Sequence, residues 1–205
     1  DQAELTRHYT EEAVAFIRAN RDKPFFLYLP HTMPHVPQYT SPRFAGKSRG
    51  GLYGDTVEEL DWSTGVILDT LRELKLDART LVIFTNDNGG PTTRNAVNGS
   101  VNTPLRGSKC ETFEGGIRVP MLMQWPGVVP AGSTYRHPVM TFDLSATALA
   151  AAQADALDSL GLFLKNTRSG RADFVQTVTL PAKSGQAPRT KQSTGSFAFM
   201  RPQHF

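Results

Sequence analysis

The chain contains 205 residues, of which 17 are glycine, 14 proline and one cysteine, and its formal charge is +3. A composition of 39% hydrophobic and 20% charged residues is that of a folded domain or part of a larger one, and it excludes a disordered chain. The apolar runs stop well short of the roughly 18 residues of a membrane span. The single Cys110 excludes an internal disulfide framework and a multi-thiolate zinc site.

The chain begins with a helix pattern followed by a strand pattern. Thr10 precedes two glutamates as a helix N-cap would, and apolar residues at helical spacing predict a helix from about Thr10 to Asn20. The continuous apolar run Phe25–Leu29 predicts a short strand buried on both faces. Residues 30–54 are rich in proline, glycine, serine and histidine, which predicts a long ordered loop.

A second helix–strand pattern follows this loop. Asp55, with Glu58 three residues later, has the pattern of a capping box, so a helix is predicted to begin there. Its predicted buried face repeats at spacings of three and four, through Val57, Leu60, Thr64, Ile67, Leu68, Leu71 and Leu74. After a short turn, Leu81–Phe84 predicts a second buried strand. Strand, loop, helix and strand in this order favour a right-handed parallel crossover.

The same alternation continues to about residue 152. A third run from Val119 to Trp125 and a helix from about Asp143 to Ala152 complete a predicted α/β class, with a mainly parallel sheet flanked by helices. Residues 1–152 are assigned to this domain and 153–205 to a divergent or poorly ordered basic tail, in which only 174–180 resembles an edge strand. The tail's seven basic and three acidic residues are scattered without interleaved aromatic residues, so no nucleic-acid partner is predicted.

Polar residues that could act on a ligand follow the apolar runs. Ligands of open α/β sheets bind at the carboxyl ends of strands, where this sequence has His35, Asp87 and Asn88, with Lys109 in the glycine-rich loop before the third run. The Asp87 carboxylate and the Asn88 amide oxygen suit Ca²⁺ or Mg²⁺, but the same residues also suit a simple turn. His35 could bind an anion or transfer a proton, or be a solvated loop histidine, and His31 is a weaker candidate. Lys109 could attract an anion or be an ordinary surface lysine.

Together these segments resemble the sulfatase family of the alkaline phosphatase superfamily. The resemblance is carried, in order and spacing, by Pro24–Leu29 with Pro34–Pro37, by Thr80–Gly89, and by Pro104–Pro120 continuing into Trp125–Gly127. It covers about residues 5–150, and its combined motifs are highly specific. It implies an alkaline-phosphatase-like α/β fold that is incomplete at its N-terminal side.

The resemblance also implies roles for the candidate residues. Asp87 and Asn88 would supply two ligands of an active-site Ca²⁺, while His35 and Lys109 would hold sulfate oxygens and help to stabilise or protonate the departing alcohol. A divalent cation and fixed positive groups around sulfate are the preorganised charges that such chemistry needs. The implied function is hydrolysis of sulfate esters of a small molecule or a glycan, in the periplasm, outside the cell or in the lysosome, with no membrane or nucleic-acid partner.

Several parts of the family pattern are not found in this sequence, among them the nucleophile, the paired aspartates that follow the family's first strand, and a second histidine and lysine group. The family's nucleophile is a formylglycine made within a Cys/Ser-x-Pro-x-Arg motif, whereas Cys110 is followed by Glu111-Thr112, and Thr40–Arg43 has the wrong spacing. The motif is expected upstream of Asp1, and the isolated chain is therefore expected to be inactive. Two alternatives stay open, namely a phosphate or phosphonate ester hydrolase of the same superfamily and a non-catalytic anion-binding module.

Overall fold

The computed structural model describes residues 1–92 and 98–153 and the backbone of residues 169–180 and 189–200. The chain forms two compact units, Asp1–His137 and Pro138–Phe205. In chain order the helices and strands are α1 (Leu5–Ala19), α2 (Gly51–Glu73), β1 (Val82–Thr85), the single helical turn α3 (Glu114–Ile117), β2 (Met121–Gln124), α4 (Thr141–Gln153), β3 (Ser169–Leu180) and β4 (Arg189–Met200). Over the part of the chain that the structure describes, no helix has both the length and the apolar character needed to cross a membrane.

Helix α1 begins five residues before the predicted start. The Asp1 side chain accepts the Ala3 N–H at 3.0 Å and caps a 3-10 turn that leads directly into the helix. Thr10 is therefore not the N-cap. Its hydroxyl donates to Thr6 O (2.7 Å) and also lies 2.6 Å from Ser63 Oγ of α2, so it serves a contact between helices that local spacing does not record.

Helix α2 begins at Gly51 and not at Asp55, so the capping-box prediction is wrong. Asp55 is only 2% exposed and lies within the helix. Its carboxylate accepts three consecutive backbone N–H groups of the preceding loop, from Gly46 (2.8 Å), Lys47 (3.0 Å) and Ser48 (2.7 Å). The residue therefore holds the loop against the helix, and the helix N-terminus lies one turn earlier.

The aliphatic core of the first unit is small. Ile17 of α1, Leu71 of α2 and Leu76 just after α2 are each at most 2% exposed. Partly buried hydrophobic residues pack against them: Phe25, Leu27, Ile67, Leu74 and Val82. Contacts of Thr10 with Ser63 and of Arg18 with Glu73 follow the same order along both helices, so α1 and α2 run in the same direction. This direction is the one expected of two successive helix–strand units lying side by side.

The strand pair described in the first unit differs from the predicted parallel arrangement, whereas the mainly parallel character of the sheet as a whole stays a prediction. β1 and β2 pair antiparallel, with Val82 opposite Gln124 and Thr85 opposite Met121. A parallel return needs a long crossover, usually with a helix. Among its described residues, the connection between Thr85 and Met121 contains only the single turn α3, so no longer helix is described there that would act as a crossover.

The predicted strand Phe25–Leu29 is not part of a sheet in this structure. Phe25 and Leu27 pack against the core, whereas Phe26 is 74% exposed and Tyr28 is 75% exposed. The prediction of burial on both faces is therefore wrong for this chain. A continuous apolar run shows that both faces of a segment are hydrophobic. It does not show whether other helices or strands pack against both faces.

The described residues of the second unit form one helix and one strand pair. Helix α4 confirms the helix predicted over 143–152. β3 and β4 pair antiparallel, with Ser169 opposite Met200 and Leu180 opposite Arg189. The weak strand prediction over 174–180 lies within β3, whereas β4 was not predicted, because its sequence lacks a sustained apolar alternation. The predicted domain boundary between residues 152 and 153 stays a prediction.

Candidate functional site

Strand β1 leads directly into the predicted metal ligands. The Thr85 hydroxyl donates to Pro120 O (3.1 Å), which fixes the end of β1 beside the start of β2. Asp87 is exposed, and its carboxylate has no hydrogen-bond or ion-pair partner among the described residues. Asn88 Nδ2 donates to Gly89 O at 2.9 Å, which leaves the Asn88 amide oxygen available as an acceptor.

These two residues fit part of a calcium shell. An unneutralised carboxylate and an uncommitted amide oxygen are the hard ligands that Ca²⁺ prefers. Within residues 1–92 and 98–153, no three or more His, Cys, Asp or Glu side chains are grouped so that they could hold a metal ion. Ca²⁺ takes about six to eight oxygens, so the others would have to come from water, from a substrate or from residues outside the described part.

The loop of Lys109 contacts the loop of Asp87 and Asn88 directly. Gly89 N–H donates to Gly116 O (2.9 Å), and Lys109 N–H donates to Gly90 O (3.2 Å). A Cβ at Gly89 would overlap a facing backbone carbonyl, so this close approach requires glycine. The backbone of the two loops therefore brings the Asp-Asn pair and the lysine into neighbouring segments.

Lys109 is a cation without an ion-pair partner among the described residues. Its side chain is half-buried, and within the described part its ammonium has no carboxylate partner. The nearby acidic side chains are engaged, because Glu111 Oε2 accepts the Ser108 N–H (2.9 Å) and Glu114 pairs with Arg118 (3.3 Å). A free ammonium beside committed carboxylates suits the attraction of an anion.

His35 lies in the loop between α1 and α2 and is exposed. Its Nδ1 is 2.7 Å from Val36 O, and since a carbonyl only accepts, Nδ1 carries a proton and Nε2 is left for a ligand. The described residues show no hydrogen bond from His35 to Asp87, Asn88 or Lys109. The meeting of these four side chains at one site stays a prediction.

His31 does not have the exposure of a ligand-binding histidine. Its Nε2 lies 3.4 Å from Ser63 Oγ, and its Nδ1 is buried without a hydrogen-bond partner. Burial lowers the pKa of His31, while the nearby Glu59 carboxylate acts in the opposite direction. We therefore interpret His31 as a neutral residue that packs between α1 and α2.

Sequence reasoning did not identify the carboxamides that connect the site loops. Gln38 Nε2 donates to Pro34 O (3.1 Å) and Asn98 O (2.9 Å), and the Asn102 side chain bonds both backbone groups of Gly90. A carboxamide that bridges two backbone segments can stand at any distance from them along the sequence. Apart from the side-chain type, nothing in the sequence therefore indicated this role for Gln38 or Asn102.

The chain is similar in sequence to characterised sulfatases. The family model described as Sulfatase matches residues 2–154. The steryl-sulfatase of Rattus norvegicus is 38% identical over 187 residues, which cover 85% of this chain and 32% of that protein. The N-acetylgalactosamine-6-sulfatase of Homo sapiens is 43% identical over 152 residues, covering 74% of this chain and 29% of that protein. The chain thus spans about a third or less of the length of these relatives.

Solved structures support the same fold assignment. The structure of Ps i-CgsB in complex with k-i-k-neocarrahexaose has a TM-score of 0.66 at 35% identity, over 78% of this chain and 38% of that chain. The PsFucS1 sulfatase from Pseudoalteromonas sp. has a TM-score of 0.70 over 97% of this chain and 46% of that chain, and its 23% identity shows the fold alone. The fold is therefore α/β of the sulfatase type. Since the family model covers most of the sequence, the chain belongs to the sulfatase family.

Proposed function

We propose that the complete protein hydrolyses sulfate esters to an alcohol and sulfate, and that this chain is the central to C-terminal part of its catalytic domain. The observation that carries the proposal is the family match over residues 2–154, which includes the contacting loops of Asp87-Asn88 and Lys109. A cation-binding pair and a free ammonium on adjacent segments are the groups that a sulfate ester requires.

Lys109 and His35 are proposed to act on the ester itself. The unpaired Lys109 ammonium attracts sulfate oxygens as a point charge. Since the Nδ1 proton of His35 is committed to Val36 O, Nε2 is the ring atom that, in the doubly protonated imidazolium, can donate its proton to the departing alcohol oxygen and leave the neutral ring. Their combined effect is to bind the ester and to stabilise the leaving group.

Asp87 and Asn88 are proposed to ligate Ca²⁺ through their side-chain oxygens. When bound, Ca²⁺ supplies positive charge that polarises the sulfate group. Asp87 contributes the negative charge of the pair and Asn88 a neutral oxygen. The group that attacks sulfur is the formylglycine expected outside this chain, so the residues described here bind, orient and neutralise.

The proposed substrate is a sulfated small molecule or glycan. The names of the relatives include a steryl-sulfatase and an N-acetylgalactosamine-6-sulfatase, and one similar structure contains k-i-k-neocarrahexaose. These names span both classes of alcohol, and the shared element is the sulfate group. We therefore test for recognition of sulfate before recognition of the alcohol.

Sulfate binding to the full chain tests the role of Lys109. Sodium sulfate is titrated into ¹⁵N-labelled chain with Ca²⁺ present, at constant ionic strength set with chloride. We expect Lys109→Ala to weaken sulfate affinity about tenfold, because a charge-assisted contact contributes about 1.5–3 kcal/mol. The matched control Lys23→Ala removes an exposed lysine outside the site and should leave the affinity unchanged. Equal effects of both variants would contradict the proposal, and tighter binding of phosphate than of sulfate would favour the phosphate ester alternative.

Calcium binding tests the role of Asp87. Isothermal titration with Ca²⁺ should show at least about tenfold weaker binding to Asp87→Asn, because one carboxylate charge is lost from the shell. Asp61→Asn, an exposed change on α2, is the control. Ca²⁺ affinity that is equal in Asp87→Asn and in the unaltered chain would remove Asp87 from the proposed site.

Turnover by the isolated chain tests the placement of the nucleophile. We expect no hydrolysis of an aryl sulfate in the presence of Ca²⁺, since loss of a nucleophile lowers rates by orders of magnitude. Hydrolysis that His35→Ala abolishes would show that the nucleophile lies within these 205 residues.

A further inference from the structure

The short segment Asn98–Asn102 contacts all three loops that carry the predicted site residues. At one end, Asn98 Nδ2 donates to Pro34 O (3.3 Å), and Asn98 O accepts from Gln38 Nε2 (2.9 Å), both in the His35 loop. In the middle, Ser100 Oγ donates to Pro91 O at 3.4 Å. At the other end, Asn102 bonds the loop that follows Asp87-Asn88 and the loop that precedes Lys109.

The Asn102 carboxamide makes three hydrogen bonds to backbone. Its Oδ1 accepts the Gly90 N–H (3.0 Å), and its Nδ2 donates to Gly90 O (2.8 Å) and to Gly107 O (3.1 Å). Gly90 O also accepts the Lys109 N–H at 3.2 Å. The position of Lys109 relative to Asp87 and Asn88 therefore depends on contacts that meet at Gly90.

Only a carboxamide meets these demands. One atom must accept while another donates twice, and in a planar group of this size that requires an oxygen and an NH₂ on one carbon. An aspartate at position 102 could accept the Gly90 N–H, but it would place negative charge against two carbonyl oxygens. A residue with an apolar side chain would leave both loops without these bonds.

We infer that Asn102 is a positioning residue for the sulfate site, acting through the placement of Lys109, while Gln38 acts separately through the His35 loop. This inference rests on the proposed function, because it assigns a task to the loops that the proposal places around sulfate. Neither side chain needs to touch the ester. Asn102 fixes the backbone that carries Lys109, and Gln38 fixes the backbone that carries His35.

Double-mutant cycles on sulfate affinity of the full chain separate positioning from general destabilisation. We expect Asn102→Ala to weaken sulfate binding about fivefold in the unaltered chain and less than about twofold when Lys109 is already alanine. Its effect should persist in full in the His35→Ala background. Gln38→Ala should show the reverse pattern, coupling to His35→Ala and not to Lys109→Ala. A merely structural role would lower the affinity by similar factors in every background.

Amide hydrogen exchange gives a readout that does not depend on sulfate. In Asn102→Ala, the Gly90 amide should exchange at least about tenfold faster, because its acceptor is gone. The matched control Asn20→Ala removes a carboxamide bond to Phe16 O (2.7 Å) at the end of α1 and should leave Gly90 unchanged. If Asn102→Ala does not fold, Asn102→Asp replaces it, since it keeps the acceptor and loses both donors, and is expected to weaken sulfate binding with the same dependence on Lys109.

The outcomes distinguish the two claims. Unchanged Gly90 exchange, or equal effects of Asn102→Ala with and without Lys109, would overturn the positioning role while leaving the proposed function intact. Absence of sulfate binding to the unaltered chain would overturn the proposed sulfate site on these loops and, with it, the role of Asn102 in anion binding.

Discussion

The carboxylate of Asp55 accepts three backbone N–H groups from the loop that precedes α2. Asparagine has only one acceptor oxygen, and its NH₂ would face N–H donors. We therefore expect Asp55→Asn to lower Tm by several degrees and to speed amide exchange at Gly46 to Ser48. The control Asp61→Asn changes an exposed aspartate of the same helix, where substitutions usually alter stability by no more than about 0.5 kcal/mol. Equal Tm values of the two variants would contradict this assignment.

The same contacts determine how the contribution of Asp55 varies with pH. The N–H groups of Ser48 and Gly46 are the main causes that lower the pKa of Asp55, with Lys47 adding to them and burial acting against them. A carboxyl whose folded pKa lies below its unfolded value, about 3.9, contributes stability above that value and loses it as the pH falls through the folded pKa. The difference in Tm between the unaltered chain and Asp55→Asn should therefore shrink below about pH 4.

His31 gives a dependence of the same direction, but in a window at higher pH. Burial lowers the pKa of His31. The negative charge of the Glu59 carboxylate on α2 acts against this effect and raises the pKa. Tyr9 of α1 contributes an uncharged ring with its centroid 6.0 Å away. Because the folded state disfavours the charged ring, stability is present above the unfolded pKa of about 6.5 and is lost as the pH falls below it.

This dependence can be measured by urea unfolding between pH 7.5 and pH 5. The free energy of unfolding of the unaltered chain should fall more over this range than that of His31→Gln, which cannot titrate. His8→Gln, an exposed change on α1, should behave like the unaltered chain. Parallel curves for the unaltered chain and His31→Gln would contradict the burial of a neutral imidazole.

At the level of elements, the packing of α1 on α2 depends on few aliphatic side chains. Leu71 is 2% exposed and contacts a core whose other fully buried members are Ile17 and Leu76. We expect Leu71→Ala to cost about 2–5 kcal/mol in free energy of unfolding, through lost burial and the cavity left behind. Leu52→Ala, at a position 47% exposed near the start of the same helix, should cost less than about 0.5 kcal/mol. Urea unfolding followed by helical circular dichroism compares the two, and equal costs would mean that Leu71 is not a core residue.

Helices could be predicted from the sequence better than strand partners. The 3.6-residue periodicity of α2 is a property of the helix's own sequence, so the helix was predicted correctly. Its start was predicted wrongly, because Asp55 was interpreted as the N-cap. The residues of β1 pair with residues that lie 36 to 42 positions further along the chain, and local composition does not record which segment pairs with which. The antiparallel pairing of β1 with β2 was missed for this reason, whereas β4 was missed because its sequence lacks a sustained apolar alternation.

The residues of the candidate site could be predicted from the sequence, but the contacts between their loops could not. The residues after each apolar run could be selected because strand ends are where ligands bind, and the family resemblance assigned their roles. The structure adds that the loops of Asp87-Asn88 and Lys109 are bonded through Gly89 and Gly90. Asn102 could not be predicted, because its three hydrogen bonds go to the backbone of Gly90 and Gly107. Only the folded loops bring these backbone groups next to its side chain.

At the scale of the whole molecule, the chain spans 32% and 29% of two curated relatives. Its first unit also exposes large aromatic side chains, among them Phe26 and Tyr28. Phe25 packs against the core and meets Phe16 edge-on at 5.9 Å between ring centroids, whereas its neighbour Phe26 is 74% exposed. Exposed aromatic surface of this kind binds hydrophobic probes and promotes association. The two adjacent phenylalanines therefore offer a matched pair for separating core packing from exposed surface.

Replacing each phenylalanine by threonine should give opposite results. Phe26→Thr should lower fluorescence of the hydrophobic probe ANS while leaving Tm within about 2 °C, because it removes apolar surface that is mostly exposed. Phe25→Thr should lower the free energy of unfolding by roughly 1–3 kcal/mol, since it removes a ring that packs on Ile17, Leu71 and Leu76. Both measurements are made at two protein concentrations. A loss of stability in Phe26→Thr as large as that in Phe25→Thr, and growing with concentration, would show that this face is covered in solution by a second copy of the chain.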